Sequence, residues 1–240
     1  MCKSDAAGFP IEQLPTFEEW QLPSGTLRFI DRPETLLEAC TDGAWFGSGK
    51  VLEACWQATP ERLLGLKYLV VEQRRISLSA IDVIRQLTSL ERLDLSRIPS
   101  ADLAFLRDLA NLSYLCIEAA PNVSADSEFP PLRQLQSLGL GTAIDTLEPL
   151  VRAYPGLRCL LLYGMTERRP ARFRNLDALT GLQRLEYLAL MNCRTQDKRL
   201  ASLQELPKLR AVVIGSERWW ETADVEALRT AGVSLSDFLF

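Results

Sequence analysis

Gly47-Ser48-Gly49-Lys50 comes nearest in this chain to a phosphate-binding loop, in which backbone N–H groups and a lysine cradle a nucleotide. That motif also demands a glycine separated by four residues from the closing Gly-Lys, and a Ser or Thr directly after it. Ala44 and Val51 hold those two places, so the segment reads as a loop ahead of a helix. Paired acids, the raw material of general acid and base work, occur as Glu18-Glu19 and as Asp224 with Glu226. Both pairs read as solvated loop or first-turn charges that favour a helix dipole. Histidine is absent, which removes the commonest general base, the commonest zinc ligand and every Ser-His or Cys-His nucleophile pair. Among the six cysteines, Cys116 and Cys159 fall at strand positions and read as small semi-buried fillers rather than nucleophiles. The expectation is therefore no catalytic residue, no cofactor, no metal and no small-molecule substrate.

In place of reactive groups the chain repeats one apolar pattern, L-x-x-L-x-L, in seven copies. These are Leu66-Leu69-Val71, Leu90-Leu93-Leu95, Leu112-Leu115-Ile117, Leu135-Leu138-Leu140, Leu157-Leu160-Leu162, Leu185-Leu188-Leu190 and Leu209-Val212-Ile214. Their first positions are separated by 24, 22, 23, 22, 28 and 24 residues, and a period near two dozen signals a stacked solenoid. The last two apolar residues of each copy alternate with a variable one, the period of a strand with one buried face. A second series at three-residue spacing follows each strand, as in Ile81-Ile84-Leu87, Leu103-Leu106-Leu109 and Leu200-Leu203-Leu206. That spacing suits a short helix or 3₁₀ segment.

On these residues the chain resembles the leucine-rich repeat family over about residues 64–216. The resemblance implies an α/β solenoid with a parallel sheet on the concave face and helices on the convex one. It also implies an asparagine three residues beyond the last strand leucine, and here the chain departs from the family. Arg74, Ile98, Ala120, Ala143, Met165, Cys193 and Glu217 stand there, and only Cys193 is a common alternative. Because no single turn buries its own leucines, residues 1–63 and 217–240 are expected as caps on one continuous domain. In the first, Leu27-Arg28-Phe29-Ile30 reads as a strand, Pro33 opens a helix, residues 51–64 read as another helix, and Trp20, Trp45 and Trp56 roof the first repeat. In the second, Thr222 caps a helix, Gly232 stops it and residues 233–240 add a strand.

The net charge of −4 gives no general attraction to nucleic acid. No run reaches the roughly 20 apolar residues that cross a bilayer, Met1-Cys2-Lys3-Ser4-Asp5 leads into no apolar signal segment, and the cysteines are scattered. A cytoplasmic protein without a membrane partner is expected, and the excess of arginine over lysine hints at a bacterial source.

What remains is surface. The variable strand positions form columns on the concave face: Tyr68, Arg92, Tyr114, Ser137, Cys159, Tyr187 and Ala211; then Val70, Asp94, Cys116, Gly139, Leu161, Ala189 and Val213; then Glu72, Ser96, Glu118, Gly141, Tyr163, Met191 and Gly215. Glu72, Asp94 and Glu118 make the amino-terminal half acidic and tyrosine-bearing. Leu161, Tyr163, Tyr187 and Met191 make the carboxy-terminal half apolar, and such residues are typical protein anchors. The long interval between the fifth and sixth copies inserts Arg168, Arg169, Arg172 and Arg174 on one edge, where Arg194, Trp219 and Trp220 follow, giving a basic and aromatic rim. The functional expectation is a non-catalytic module that binds another protein through the concave face and rim, such as an immunity protein covering a cognate toxin. The alternatives are an effector or enzyme accessory whose repeats recruit a substrate, and nucleic-acid binding through the rim.

Overall fold

The computed structural model describes residues 26–38, 42–72, 76–98, 102–124, 126–142, 144–164 and 170–237. Glu18-Glu19, Trp20, Arg74, Ala143, Met165, Arg168 and Arg169 lie outside the described residues, as do the last three residues of the expected closing strand. Along the chain run strands β1 (Leu27–Ile30), β2 (Gly43–Phe46), β3 (Tyr68–Val71), β4 (Arg92–Arg97), β5 (Tyr114–Ala120), β6 (Ser137–Thr142), β7 (Cys159–Tyr163), β8 (Ala171–Phe173), β9 (Tyr187–Met191), β10 (Cys193–Thr195), β11 (Ala211–Ile214) and β12 (Ser234–Asp237). Ten of them form one parallel sheet in the order β1-β2-β3-β4-β5-β6-β7-β9-β11-β12, while β8 and β10 pair in a second, two-stranded sheet. The seven expected strands are β3 to β7, β9 and β11. β1 and β2 extend the same sheet from the amino-terminal side, and β12 extends it at the other end.

Register follows the leucines. Leu69, Leu93, Leu115, Leu138, Leu160, Leu188 and Val212 stand opposite one another from strand to strand, each no more than 2% exposed. Each such side chain contributes about 1.5–3 kcal/mol through burial, but only against the leucine of the next turn, which is why the stack is a single body. The residue before each strand repeats one backbone device. The carbonyls of Lys67, Glu91, Ser113, Gln136, Arg158 and Glu186 each accept two N–H groups from the following turn.

Helices α1 (Pro33–Glu38), α2 (Gly49–Ala58), α3 (Pro60–Leu64), α4 (Leu78–Ile84), α5 (Glu148–Ala153) and α6 (Thr222–Thr230) alternate with the strands, with 3₁₀ turns at Ala104–Asp108, Asp177–Gly181, Ala201–Glu205 and Glu217–Trp219. The Gly47-Ser48-Gly49-Lys50 stretch resolves as a helix start, because Ser48 Oγ accepts the Val51 N–H as N-cap of α2. Ser77 caps α4 in the same way, and its hydroxyl donates to Glu53, tying α4 to α2. The single helix expected over 51–64 is broken. Pro60 has no N–H and disfavours the helical conformation at Thr59, which sits at φ −151°, so α2 ends and α3 begins anew with proline in its first turn. At the carboxy terminus the N-cap position is Glu221 rather than Thr222. Gly232, at φ +81°, and Val233 close α6 in a Schellman motif, donating to the Arg229 and Leu228 carbonyls at 3.0 Å each.

At three of the positions where the family carries asparagine, the chain substitutes packing, whereas Glu217 at a fourth pairs with Arg229. Ile98 and Ala120 enter the core. Cys193 is fully buried with its thiol 3.2 Å from the Leu162 carbonyl, so sulfur takes over the donor role of the missing amide at that turn.

Candidate functional site

The sheet face turned away from the leucine core carries the three expected columns in register, and β1 and β2 lengthen them. Leu27 and Gly43 precede Tyr68, and Phe29 and Trp45 precede Val70. Phe29 is 50% exposed and meets Trp45 edge-on, with ring centroids 5.2 Å apart. This aromatic pair was not anticipated at a binding surface. The sequence alone places Trp45 in a roof over the first repeat; Gly43-Ala44-Trp45-Phe46 lacks the leucines of the repeat, yet Ala44 and Phe46 occupy its two inward positions, and that period-two pattern is the strand signal it carries.

Next along the face, Tyr68 is half-buried and Glu72 exposed. Arg92 is not a free cation. Its guanidinium lies 3.7 Å from the Tyr114 ring centroid and its Nε donates to Asp94 at 2.9 Å, in side chains only 18% and 15% exposed. Burial pushes the Asp94 carboxyl up and Arg92 pulls it back, while burial also raises the Tyr114 hydroxyl. Arg92, Asp94 and Tyr114 thus satisfy one another and offer a partner little unpaired charge.

Glu118 differs. Its own burial first, then Glu72 and Asp94 across the sheet, push its carboxyl up to about 7. Since the folded value exceeds the ordinary 4.5, the native protein holds a proton that the unfolded chain releases, and stability falls as pH climbs from 4.5 towards 7. Glu118→Gln is expected to gain about 1 kcal/mol at pH 8, after allowance for screening of a half-exposed group, and almost nothing near pH 4. Urea unfolding at both pH values measures this, and an equal gain at both would place the effect elsewhere.

The carboxy-terminal half of the face is packed on itself. Cys159, Leu161, Tyr187, Ala189, Met191, Ala211 and Val213 form a second apolar cluster, none more than 5% exposed, with Tyr163 against its side. The cause lies partly on β6, whose outward positions are Ser137, Gly139 and Gly141. With no side chains on these glycines, the Tyr163 ring reaches over the strand and its hydroxyl comes 3.6 Å from Cys116 Sγ on β5. Leu161, Tyr163, Tyr187 and Met191, expected as protruding anchors, are therefore neighbours of one another, and Tyr114 at 9% exposure is equally withdrawn. Cys55, Cys116, Cys159 and Cys193 are buried free thiols; burial pushes Cys159 up to about 12, far from a thiolate at neutral pH.

On the edge, residues 171–173 of the insertion form β8 of the second sheet. β8 and β10 run parallel with Arg172 opposite Arg194, their buried positions being Ala171 with Phe173 and Cys193 with Thr195. Arg194 lies over Trp219 at 4.1 Å, whereas Trp220 is 5% exposed and belongs to the core beneath. Trp219 and Arg172 thus form the rim and Trp220 supports it. Elsewhere, a groove of about 520 Å³ between α4 and the Ala104–Asp108 turn is lined by Leu78, Ile81 and Phe105, with Arg85 and Asp108 neutralising each other. Among the described residues no helix is long and apolar enough to cross a membrane, and no group of three or more potential metal ligands gathers.

The chain is similar in structure to an internalin from Listeria monocytogenes, at 17% identity and a TM-score of 0.50, over 82% of this chain and 52% of that one. An internalin C2 from the same organism matches at 18% identity and a TM-score of 0.45, over 76% and 84%. A leucine-rich repeat protein of Leptospira interrogans matches at 14% and 0.39, over 80% and 58%. The chain thus spans about half the length of the first of these structures. No family profile matches it, and no curated protein does. The shared feature is the parallel-sheet solenoid of the bacterial leucine-rich repeat proteins.

Proposed function

From that leucine-rich repeat solenoid as premise, we propose that the chain is a non-catalytic module that binds another protein through the amino-terminal part of its concave face and its arginine rim. The observation that carries this reading is the exposed Phe29 ring, braced edge-on by Trp45 in neighbouring strands and followed along the face by half-buried Tyr68 and exposed Glu72. Aromatic surface beside a carboxylate that makes no ion pair among the described residues suits a protein partner, because two-torsion side chains contribute large contact area with little entropy to lose. The self-packed carboxy-terminal half shifts the proposed contact towards β1–β4 and the rim. In its most specific form the module is a cytoplasmic neutralising partner, an immunity protein that covers the active site of a cognate toxin. Support for that form is a surface that offers shape and charge, in the exposed Phe29 ring and the paired arginines of the rim.

The test is co-purification from the native cytosol with a double variant, Phe29→Ala with Glu72→Lys, both on exposed side chains. Recovery of the bound partner should fall at least about tenfold while the thermal transition stays in place. Undiminished recovery would remove the amino-terminal face from the reading.

A further inference from the structure

We propose that the β8–β10 sheet and Trp219 form a recognition site for an acidic segment of a partner protein, with Arg172 and Arg194 as its paired donors. This rests on the protein-binding reading and adds the chemistry of what the rim takes. In the parallel register Arg172 and Arg194 are direct cross-strand neighbours, roughly 4.8 Å apart at the backbone. Like charges in that position repel and destabilise a ladder, so the pair is a cost to the isolated chain that an anion between the two guanidinium groups would relieve.

The local acids among the described residues do not relieve it. Glu217 is held by Arg229, Asp224 by Arg199 and the Leu200 N–H, and Asp197 accepts the Arg199 N–H. Among the described residues no carboxylate pairs with Arg172, Arg174, Arg194 or Arg218, of which Arg172, Arg174 and Arg218 are exposed. Arg194 keeps its Nε without an acceptor.

The site is also built rather than incidental. The Trp219 ring lies where a Cβ on Gly215 would come within 3.0 Å, so glycine at 215 is what lets the ring settle over the end of β11. With its central carbon 4.1 Å from the centroid of that ring, the Arg194 guanidinium is held against the indole. A planar fork suits a carboxylate, which two parallel N–H groups can grip. A nucleic acid fits less well: the chain carries −4 overall, and one indole gives a single stacking platform where strand binding uses a series.

The experiment is fluorescence anisotropy of a labelled oligoglutamate peptide with the full chain at low salt, with oligoglutamine and oligothymidylate as comparison probes. Oligoglutamate should bind and oligoglutamine should not. Arg172→Ala and Arg194→Ala should each weaken binding about tenfold, Arg194→Lys should restore only part of it, and Arg107→Ala, on an arginine already paired with Glu128, should change nothing. No oligoglutamate binding, binding indifferent to Arg172→Ala and Arg194→Ala, or tighter binding of oligothymidylate would each overturn the proposal. A negative here with the Phe29 and Glu72 dependence of partner capture intact sinks the rim site alone; the reverse pattern sinks the concave-face reading alone.

Discussion

Gly141→Ala is expected to destabilise the protein by about 3 kcal/mol, at the upper end of what overpacking costs, while Gly139→Ala two residues earlier on the same face costs about 1 kcal/mol. The difference comes from what each new methyl group meets. At 139 it would stand 2.9 Å from Cys116 Sγ, a side-chain atom that can turn away. At 141 it would stand 1.9 Å from the backbone oxygen of Glu118 and 2.5 Å from the Tyr163 ring. The register of β5 on β6 shifts between Ile117 and Ala120, an extra residue that carries the Glu118 carbonyl towards β6. A carbonyl fixed in a ladder has no rotamer to escape into, so the two strands must part locally and Tyr163 must leave its seat above the glycines. Urea unfolding of both variants measures the contrast, and equal losses would mean that the β5 irregularity is soft enough to absorb a methyl group.

This contrast also marks where sequence reading reached its limit. Period and register were legible because inward leucines repeat at fixed offsets, and Leu69 to Val212 align across seven strands as that spacing requires. Columns were legible for the same reason, since alternation assigns each variable residue to a face. Exposure was not. Whether Tyr163 projects to a partner or lies down over β6 depends on two glycines in the adjacent turn, a contact between residues 22 and 24 positions apart. β2 escaped notice because alanine, tryptophan and phenylalanine replaced the leucines that define the repeat. The rim was readable as charge, but the parallel pairing that sets Arg172 beside Arg194 arises only once the insertion folds back as β8.

Asp224 shows the same limit in a single residue, with a large expected effect. Read as a solvated first-turn charge of α6, it is instead 4% exposed. Its carboxylate accepts from Arg199 Nε at 2.7 Å, from a second Arg199 nitrogen at 3.1 Å and from the Leu200 N–H at 2.8 Å, fastening α6 to the turn that opens at Leu200. Asp224→Ala leaves a buried N–H and a guanidinium without their acceptor, an expected loss of about 2–3 kcal/mol. Arg199→Ala should cost about 1 kcal/mol or less, because that side chain is 54% exposed and the ion pair itself is screened. The hydrogen bond from Arg199 holds the Asp224 carboxyl below its ordinary 3.8, ahead of the opposing effect of its burial. A depressed acid stabilises the fold fully above its unfolded value and loses that contribution as pH falls through the folded one. The gap between wild type and Asp224→Ala should therefore be widest above pH 4 and narrow below it, as the carboxyl takes up its proton. Denaturant midpoints across that range decide the matter. A gap constant with pH would show that Asp224 fastens α6 by shape, and a gap absent at neutral pH would show that the helix is held by Val225 and Leu228 alone.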